Sequence, residues 1–216
     1  MIDLREQLRH TPLIAILRGI TPDEVVPVGR ALLEAGIVLM EVPLNSPRAL
    51  DSVAQLRDAI PAAWVGAGTV TSTREVDDLA RAGAQMIISP NADPAVVERT
   101  RTHGLVSLPG VLTPTEAFAM HAAGAHALKL FPSAALGPGG MQALASVLPG
   151  GTLLLPVGGV DEHNAAEWLK AGAAGLGVGS SLYRPGMTPG EVRDRAAAIV
   201  RAVRREPRID LRLSTA

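Results

Sequence analysis

The feature that most constrains the fold of this chain is a strand–helix unit that recurs along most of its 216 residues. Five helical segments end in alanine or histidine followed by glycine, just before a predicted strand, at Gly36, Gly83, Gly104, Gly124 and Gly172. Glycine suits the left-handed position that closes a helix. The intervals of 47, 21, 20 and 48 residues between these glycines correspond to one or two repeats of a single unit.

Eight short runs of β-branched or apolar residues lie between the helical segments and predict β-strands. They are Leu13–Arg18, Val38–Leu44, Trp64–Thr69, Met86–Ser89, Leu105–Leu108, Ala127–Phe131, Leu153–Val157 and Gly175–Val178. Strands connected by helices pair in parallel, and eight such units predict a single (β/α)8 TIM barrel of the α/β class. An open doubly wound sheet is the alternative, but the nearest dinucleotide-binding candidate, Gly66-Ala67-Gly68, lacks a third glycine at Thr71.

Helix starts are marked by a hydroxyl residue with glutamate three positions later, which is the pattern of a capping box. It occurs at Thr21, Ser72, Thr113 and Thr188. Ser46-Pro47 and Asp93-Pro94 predict the starts of two further helices. We expect one barrel with a short N-terminal helix over residues 1–203, followed by a polar C-terminal tail over residues 204–216.

Composition and charge exclude several classes of function. The chain is 47% hydrophobic with a mean hydropathy of +0.24, which is ample material for a core. Its net charge of −1 and its few aromatic residues do not support nucleic-acid binding. The absence of cysteine excludes disulfides and thiolate metal sites. Because there is no signal-peptide core and no apolar run of membrane-spanning length, we expect a cytoplasmic protein without membrane contacts.

Lys129 lies in the middle of the sixth predicted strand, between aliphatic residues. The chain carries most of its positive charge on arginine, and its other lysine, Lys170, lies at a helix end, where a cation complements the helix dipole. Because burial disfavours the ammonium form, a buried amine can add to a carbonyl near neutral pH and form a Schiff base. The alternative is a core lysine paired with a carboxylate.

Three more polar side chains lie where a parallel barrel gathers its functional groups, at the C-terminal ends of strands. Alternation along the second strand places Glu41 on the inner face, and Arg18 and Thr69 end the first and third strands. A carboxylate beside a Schiff-base lysine can move the proton that carbon–carbon cleavage requires. Arg18 can hold a substrate carboxylate in a bidentate fork. A Glu41–Lys129 ion pair and a salt bridge of Arg18 at the rim are the alternatives.

Glycines follow the last two predicted strands, as Gly158-Gly159 and as Gly179 before Ser180. In barrels, backbone N–H groups of these two loops often bind phosphate, and Ser180 adds a hydroxyl donor. The pattern therefore predicts a phosphate site, and glycines that only shape the turns are the alternative. The histidines are scattered without ligand spacing, so we expect neither a metal nor a cofactor.

Taken together, these motifs resemble the KDPG/KHG aldolase family over almost the whole chain, the C-terminal tail excepted. The resemblance rests on Pro12–Gly19, Glu41–Pro47, Gly66–Val70, Ile88–Asn91, Pro109–Ala117, Lys129–Pro132, Val157–Val160 and Gly177–Gly186. It implies a class I aldolase that needs no metal and forms a homotrimer. Its substrate would be a six-carbon 2-keto-3-deoxy-6-phospho sugar acid, cleaved to pyruvate and D-glyceraldehyde 3-phosphate.

The resemblance also implies a role for each matching position. Lys129 would form the imine with the substrate and Glu41 would donate and accept the proton. The implied substrate-binding residues are Arg18 and Thr69 near the pyruvate half, and Gly158, Gly159, Gly179 and Ser180 near the phosphate.

Two stretches, Glu41–Ser46 and Val157–Gly159, resemble the galactonate-type members of the family more than the gluconate-type. We therefore expect 2-dehydro-3-deoxy-6-phospho-D-galactonate as substrate, with the gluconate epimer, or both, as the alternative. Ser133 stands where the family commonly has alanine, and we expect its hydroxyl near the mouth. An isomerase or synthase that binds phosphate esters, and a non-catalytic binding protein, are the competing functional classes.

Overall fold

The computed structural model describes residues 3–204, and within them every pairing between strand segments is parallel. The segments are β1 (Leu13–Ile16), β2 (Leu39–Pro43), β3 (Trp64–Gly68), β4 (Met86–Ile88), β5 (Val106–Leu108), β6 (Gly110–Val111), β7 (Leu128–Leu130), β8 (Leu154–Pro156) and β9 (Leu176–Val178). Each predicted strand is present, and each is shorter than predicted by one or two residues.

Helices alternate with these strands. They are α1 (Leu4–His10), α2 (Pro22–Glu34), α3 (Ala49–Ala59), α4 (Thr73–Arg81), α5 (Pro94–Thr102), α6 (Pro114–Ala122), α7 (Gly137–Ala145), α8 (Ala165–Lys170) and α9 (Pro189–Arg204), with a 3-10 turn at Ser133–Ala135. The last helix therefore includes Arg204, the first residue of the predicted tail. Residues 205–216 of that tail lie outside the described part of the chain.

The strands close into a barrel with eight positions. Six of the strand segments form a sheet in the order β5-β4-β3-β2-β1-β9, and the segments β6-β7-β8 form a second sheet. The two sheets meet at Pro109, which separates β5 from β6 because proline cannot donate a ladder hydrogen bond. They also meet where Val157, just after β8, bridges to Gly177 of β9. β5 and β6 thus share one position, and the predicted parallel barrel is confirmed.

Two hydrophobic layers follow from the alternation along the strands. Ile14, Leu39, Met86 and Leu155 belong to a cluster inside the barrel, whereas their sequence neighbours pack against the outer helices. Leu4 and Leu8 of α1 join the inner cluster, so this first helix covers one end of the barrel. The interior is consequently a packed core, and polar groups are placed at the opposite, C-terminal ends of the strands.

Local sequence signals account for most helix starts. The capping boxes at Ser72 and Thr113 are formed, and the Asp93 side chain accepts the N–H of Ala95 at the start of α5. The prediction at Ser46-Pro47 was wrong, because α3 begins only after Arg48, which adopts a left-handed φ of 46°. The Ser46 hydroxyl instead accepts the N–H of Gly19 at 2.9 Å and links the loops after β1 and β2.

No helix in the described part of the chain is long and apolar enough to cross a membrane.

Candidate active site

Glu41 of β2 and Lys129 of β7 point into the barrel from strands on different sides of it. Their exposed fractions are only 2% and 6%. Both line a cavity of about 10 Å³, roughly the space of one water molecule, whose remaining walls are glycine and aliphatic residues. The structure therefore brings together, in an apolar setting, the two residues that the sequence pattern selected from distant parts of the chain.

Burial dominates the electrostatics of Glu41. It raises the pKa of this carboxyl from 4.5 to about 7, and the positive charges of Lys129 and Arg18 offset only part of the effect. Its Oε2 atom is buried without a hydrogen-bond partner among the described residues. A carboxyl with this pKa can both accept and donate a proton near neutral pH.

Lys129 experiences the opposite effect. Burial lowers the pKa of its ammonium group, Glu41 counteracts this, and Arg18 adds to it. Its Nζ atom lies 4.7 Å from the centroid of the Phe131 ring. Within residues 3–204, no carboxylate lies within the 4 Å of an ion pair with Lys129. The amine is thus buried without being locked in a salt bridge, and burial shifts it toward its neutral, nucleophilic form relative to an exposed lysine.

Gly68 creates the space that the Glu41 carboxylate occupies, and sequence reasoning missed this role. A Cβ atom at Gly68 would lie 1.7 Å from Glu41 Oε2. Gly68 is paired in register with Pro43, two residues beyond Glu41 on β2. The signal that could have revealed it is the alternation of Gly66 and Gly68 along β3, which leaves the C-terminal part of one strand face without side chains.

Thr69 directly follows β3, and Arg18 lies two residues after the end of β1. The Arg18 Nη1 group donates to Oδ1 of Asn45 at 3.0 Å, and no described carboxylate pairs with it, so a rim salt bridge is not formed. Thr69 adopts a left-handed φ of 62°, which is uncommon for a β-branched residue and marks local backbone strain. Thr69 lines neither the small cavity nor the larger one described next.

A larger cavity, of about 520 Å³, adjoins the small one through the shared lining residues Ile16, Val157 and Gly177. It contains the remaining predicted substrate-binding residues, which are Arg18, Gly158, Gly159, Gly179 and Ser180. Gly158 and Gly159 have φ values of 100° and 79°, a conformation that residues with a Cβ rarely adopt. The two glycine loops after β8 and β9 therefore lie side by side at one cavity wall.

Family membership follows from the chain as a whole. Residues 4–197 match the family model for KDPG and KHG aldolases. This chain belongs to the KDPG and KHG aldolase family. The resemblance noted in the sequence is thereby confirmed, as is the assignment to the carbon–carbon lyases.

Named relatives within the family are similar over most of their length. The chain is 48% identical to the probable 2-dehydro-3-deoxy-6-phosphogalactonate aldolase of Rhizobium meliloti (strain 1021), covering 88% of this chain and 91% of that protein. It is 47% identical to the 2-dehydro-3-deoxy-6-phosphogalactonate aldolase of Escherichia coli (strain K12), covering 89% and 95%. A solved structure, "Native KDPGal structure", is 47% identical with a TM-score of 0.88, covering 90% of this chain and 95% of that one.

Several residues of this aldolase-family site were not selected from the sequence, namely Phe131, Tyr183 and Arg184, which also line the larger cavity. Ser133 differs from expectation. It is fully buried, and its hydroxyl donates to the carbonyl of Gly158 at 2.8 Å. Ser133 thus holds the first glycine loop in place rather than presenting a hydroxyl to the cavity.

Within residues 3–204, no group of three or more histidine, aspartate or glutamate side chains is arranged to hold a metal ion.

Proposed function

We propose that this protein is a class I aldolase that cleaves 2-dehydro-3-deoxy-6-phospho-D-galactonate to pyruvate and D-glyceraldehyde 3-phosphate. The observation that carries the proposal is the buried Lys129 amine, whose pKa is lowered, in one cavity with Glu41, whose pKa is about 7. Membership of the aldolase family and the names of the relatives that are 47–48% identical support the reaction and the substrate.

The first half of the reaction uses Lys129 as a nucleophile. Its neutral amine adds to the C2 carbonyl of the substrate to give a carbinolamine, which loses water to form a protonated imine. The imine carries a positive charge beside C3 and can accept an electron pair from the bond to be broken. Glu41 can transfer a proton to the carbonyl oxygen during the addition and to the hydroxyl group that leaves as water.

The second half breaks the C3–C4 bond. Glu41, as carboxylate, takes the proton of the C4 hydroxyl, and the C3–C4 bonding electrons move into the imine to give an enamine. The C4 fragment leaves as D-glyceraldehyde 3-phosphate. Protonation of the enamine at C3 and hydrolysis of the imine then release pyruvate and restore Lys129. No metal or organic cofactor takes part in this scheme.

The remaining predicted site residues position the substrate in this proposal. Arg18 binds the carboxylate end, near the imine, because it is close enough to influence the pKa of both Glu41 and Lys129. The resemblance to the family assigns Thr69 to the same end. Gly158, Gly159, Gly179 and Ser180 bind the phosphate end. A guanidinium at the carboxylate end and backbone N–H groups at the phosphate end fit a substrate with an anionic group at each end.

Trapping with pyruvate and borohydride tests the chemistry directly. We expect the wild-type protein to gain the mass of one reduced pyruvate adduct at Lys129. The variant Lys129→Ala should gain none and should lose turnover, because no amine remains in the cavity. Lys170→Ala, which removes the other lysine of the chain, is the matched control and should be labelled like the wild type.

An unmodified wild-type protein would reject the Schiff-base mechanism. Binding of phosphate esters without an adduct would favour the isomerase or synthase alternative instead. Parallel kinetics on the galactonate and gluconate epimers, followed by pyruvate release, test the substrate. We expect the higher kcat/KM on the galactonate epimer.

A further inference from the structure

The larger cavity contains a second cation that the proposed mechanism leaves unused. Its charged lining residues are Arg18 and Arg184, and no carboxylate is among the residues that line it. The two arginines are held by different loops, since Arg18 donates to Asn45 after β2 and Arg184 donates to Ser180 after β9. The cavity wall is therefore positively charged at two separately anchored points.

The anchoring of Arg184 leaves most of its donors available. Its Nε–H group donates to the carbonyl oxygen of Ser180 at 3.0 Å, which holds the guanidinium at the second glycine loop. Among residues 3–204, no carboxylate lies within ion-pairing distance of it. Arg184 lines the cavity, and a guanidinium that is not paired with a carboxylate is well suited to bind phosphate oxygens in a bidentate fork.

The loop itself has supports that do not depend on Arg184. The N–H groups of Leu182 and Tyr183 donate to the Gly179 carbonyl at 2.8 and 2.9 Å, and the Ser181 hydroxyl donates to the Val160 carbonyl at 2.7 Å. Arg195 donates to the Ser181 carbonyl at 3.3 Å from outside the cavity. Arg184 thus makes one of several hydrogen bonds that hold this loop, and it is the charged residue among those partners that lines the cavity.

We infer that Arg184 binds the 6-phosphate of the substrate and makes the enzyme selective for phosphorylated over unphosphorylated 2-keto-3-deoxy sugar acids. This inference rests on the proposed aldolase function and assigns a further specificity-determining residue to it. The hydrogen bonds that hold the two arginines indicate which end of the substrate each one binds. Arg18 is near the Glu41–Lys129 pair and takes the carboxylate end, whereas Arg184 adjoins Gly179 and Ser180 and takes the phosphate.

Kinetics on two substrates test the role of Arg184. In Arg184→Ala, we expect KM for the 6-phosphorylated sugar acid to rise by about 10- to 100-fold with little change in kcat, the loss of one or two charge-assisted hydrogen bonds. On the same sugar acid without the phosphate, kcat/KM should match the wild type. Arg184→Lys should recover part of the loss, since it keeps the charge but not the fork.

Arg195→Ala is the matched control, because it removes an arginine that ties the same loop from outside the cavity. It should behave like the wild type on both substrates. Inorganic phosphate, used as a competitive inhibitor, should inhibit Arg184→Ala about 10-fold or more weakly than the wild type.

Equal losses of Arg184→Ala on both substrates would show that Arg184 only shapes the loop, and wild-type kinetics on both would show that it binds nothing. Either result overturns the inference while wild-type turnover and the pyruvate adduct leave the proposed function standing. A wild-type protein that neither releases pyruvate nor forms the adduct overturns both.

Discussion

Glu41 and Lys129 are ionisable side chains placed where solvent hardly reaches them, and at this residue scale their chemistry follows from desolvation. Burial disfavours a charge of either sign, so it raises the pKa of the acid and lowers that of the amine. Their mutual attraction opposes both shifts without cancelling them. The site therefore holds a carboxyl that can exchange a proton near neutral pH and an amine whose neutral, nucleophilic form is favoured by burial, at the cost of some folding stability.

The variant Glu41→Gln should separate the loss of folding stability that the buried carboxyl causes from its contribution to catalysis. Between the unfolded pKa of 4.5 and the folded value of about 7, the folded protein binds a proton that the unfolded chain has lost. Stability from this group is therefore full below pH 4.5 and falls as pH rises through 7. We expect the free energy of unfolding of the variant, relative to wild type, to increase by about 3 kcal/mol from pH 4.5 to 8.

Urea unfolding of both proteins across this pH range measures the difference. Lys129 contributes with the opposite sign, because its lowered pKa makes stability rise with pH between the folded value and 10.5, so the comparison with the variant is what reports Glu41. A difference that does not depend on pH would contradict the raised pKa. The same substitution should slow turnover by about 100- to 10,000-fold, since the general base is lost.

Gly68→Ala should disable the site without removing any functional group. The added methyl group would overlap the Glu41 carboxylate, so the acid must move. We expect kcat to fall by about 100-fold or more, with an overpacking cost of about 1–3 kcal/mol in unfolding free energy. Gly139→Ala is the control, because no atom lies within 4 Å of its added methyl group. Unchanged kcat in Gly68→Ala would mean that Glu41 can relocate freely.

At the scale of elements, several strand–helix units begin their helix with a side-chain cap, as at Ser72, Asp93 and Thr113. In α6, Thr113 accepts the N–H of Glu116, and the Glu116 carboxylate accepts the N–H groups of Leu112 and Thr113 at 2.8 Å. These bonds satisfy backbone donors that a helix start leaves unpaired. They also lower the pKa of Glu116.

Thr113→Ala should therefore destabilise the protein by about 1 kcal/mol, the usual cost of losing a capping hydroxyl. Thr115→Ala, two residues further along the same helix and exposed, is the control. It removes the same atoms without a capping role and should be neutral or slightly stabilising. Urea unfolding at neutral pH measures both variants. Equal stabilities would show that the cap contributes nothing in this context.

Across the whole molecule, closure of the barrel brings the site together. Glu41 and Lys129 lie on strands in different sheets, and the junctions at Pro109 and at Val157–Gly177 connect those sheets. Inside, apolar side chains fill the barrel from the end covered by α1. The reactive groups therefore lie above a packed floor, and the small cavity that they line adjoins the larger cavity.

We also propose that the protein is a homotrimer, as the resemblance to the family implies. Large apolar side chains remain exposed at Leu50, Phe118 and Val147, and subunit contacts would remove such surface from water. Light scattering during size-exclusion chromatography should give three times the chain mass of 22.4 kDa at all concentrations used. A mass of 22.4 kDa would refute the trimer.

Much of the fold was readable in the sequence because local rules govern it. The strand–helix period predicts parallel strands, and the capping residues at Ser72 and Thr113 mark helix starts. Lys129 and Glu41 could be selected because a charged residue in an apolar strand is costly and so points to chemistry. Arg18 and Thr69 were selected by their positions at strand ends and Gly158, Gly159, Gly179 and Ser180 by the glycine loops after the last two strands, and the resemblance to the family agrees with these choices.

Other features depend on contacts between residues far apart in the chain, and no local pattern carries them. The pairing of β1 with β9 distinguishes a closed barrel from an open doubly wound sheet. Gly68 matters because the Glu41 side chain reaches it across a strand pair, and the Ser133 hydroxyl finds its partner in the Gly158 carbonyl, 25 residues away in the chain. The pKa of Glu41 likewise depends on how completely distant segments exclude water, which is a property of packing rather than of sequence.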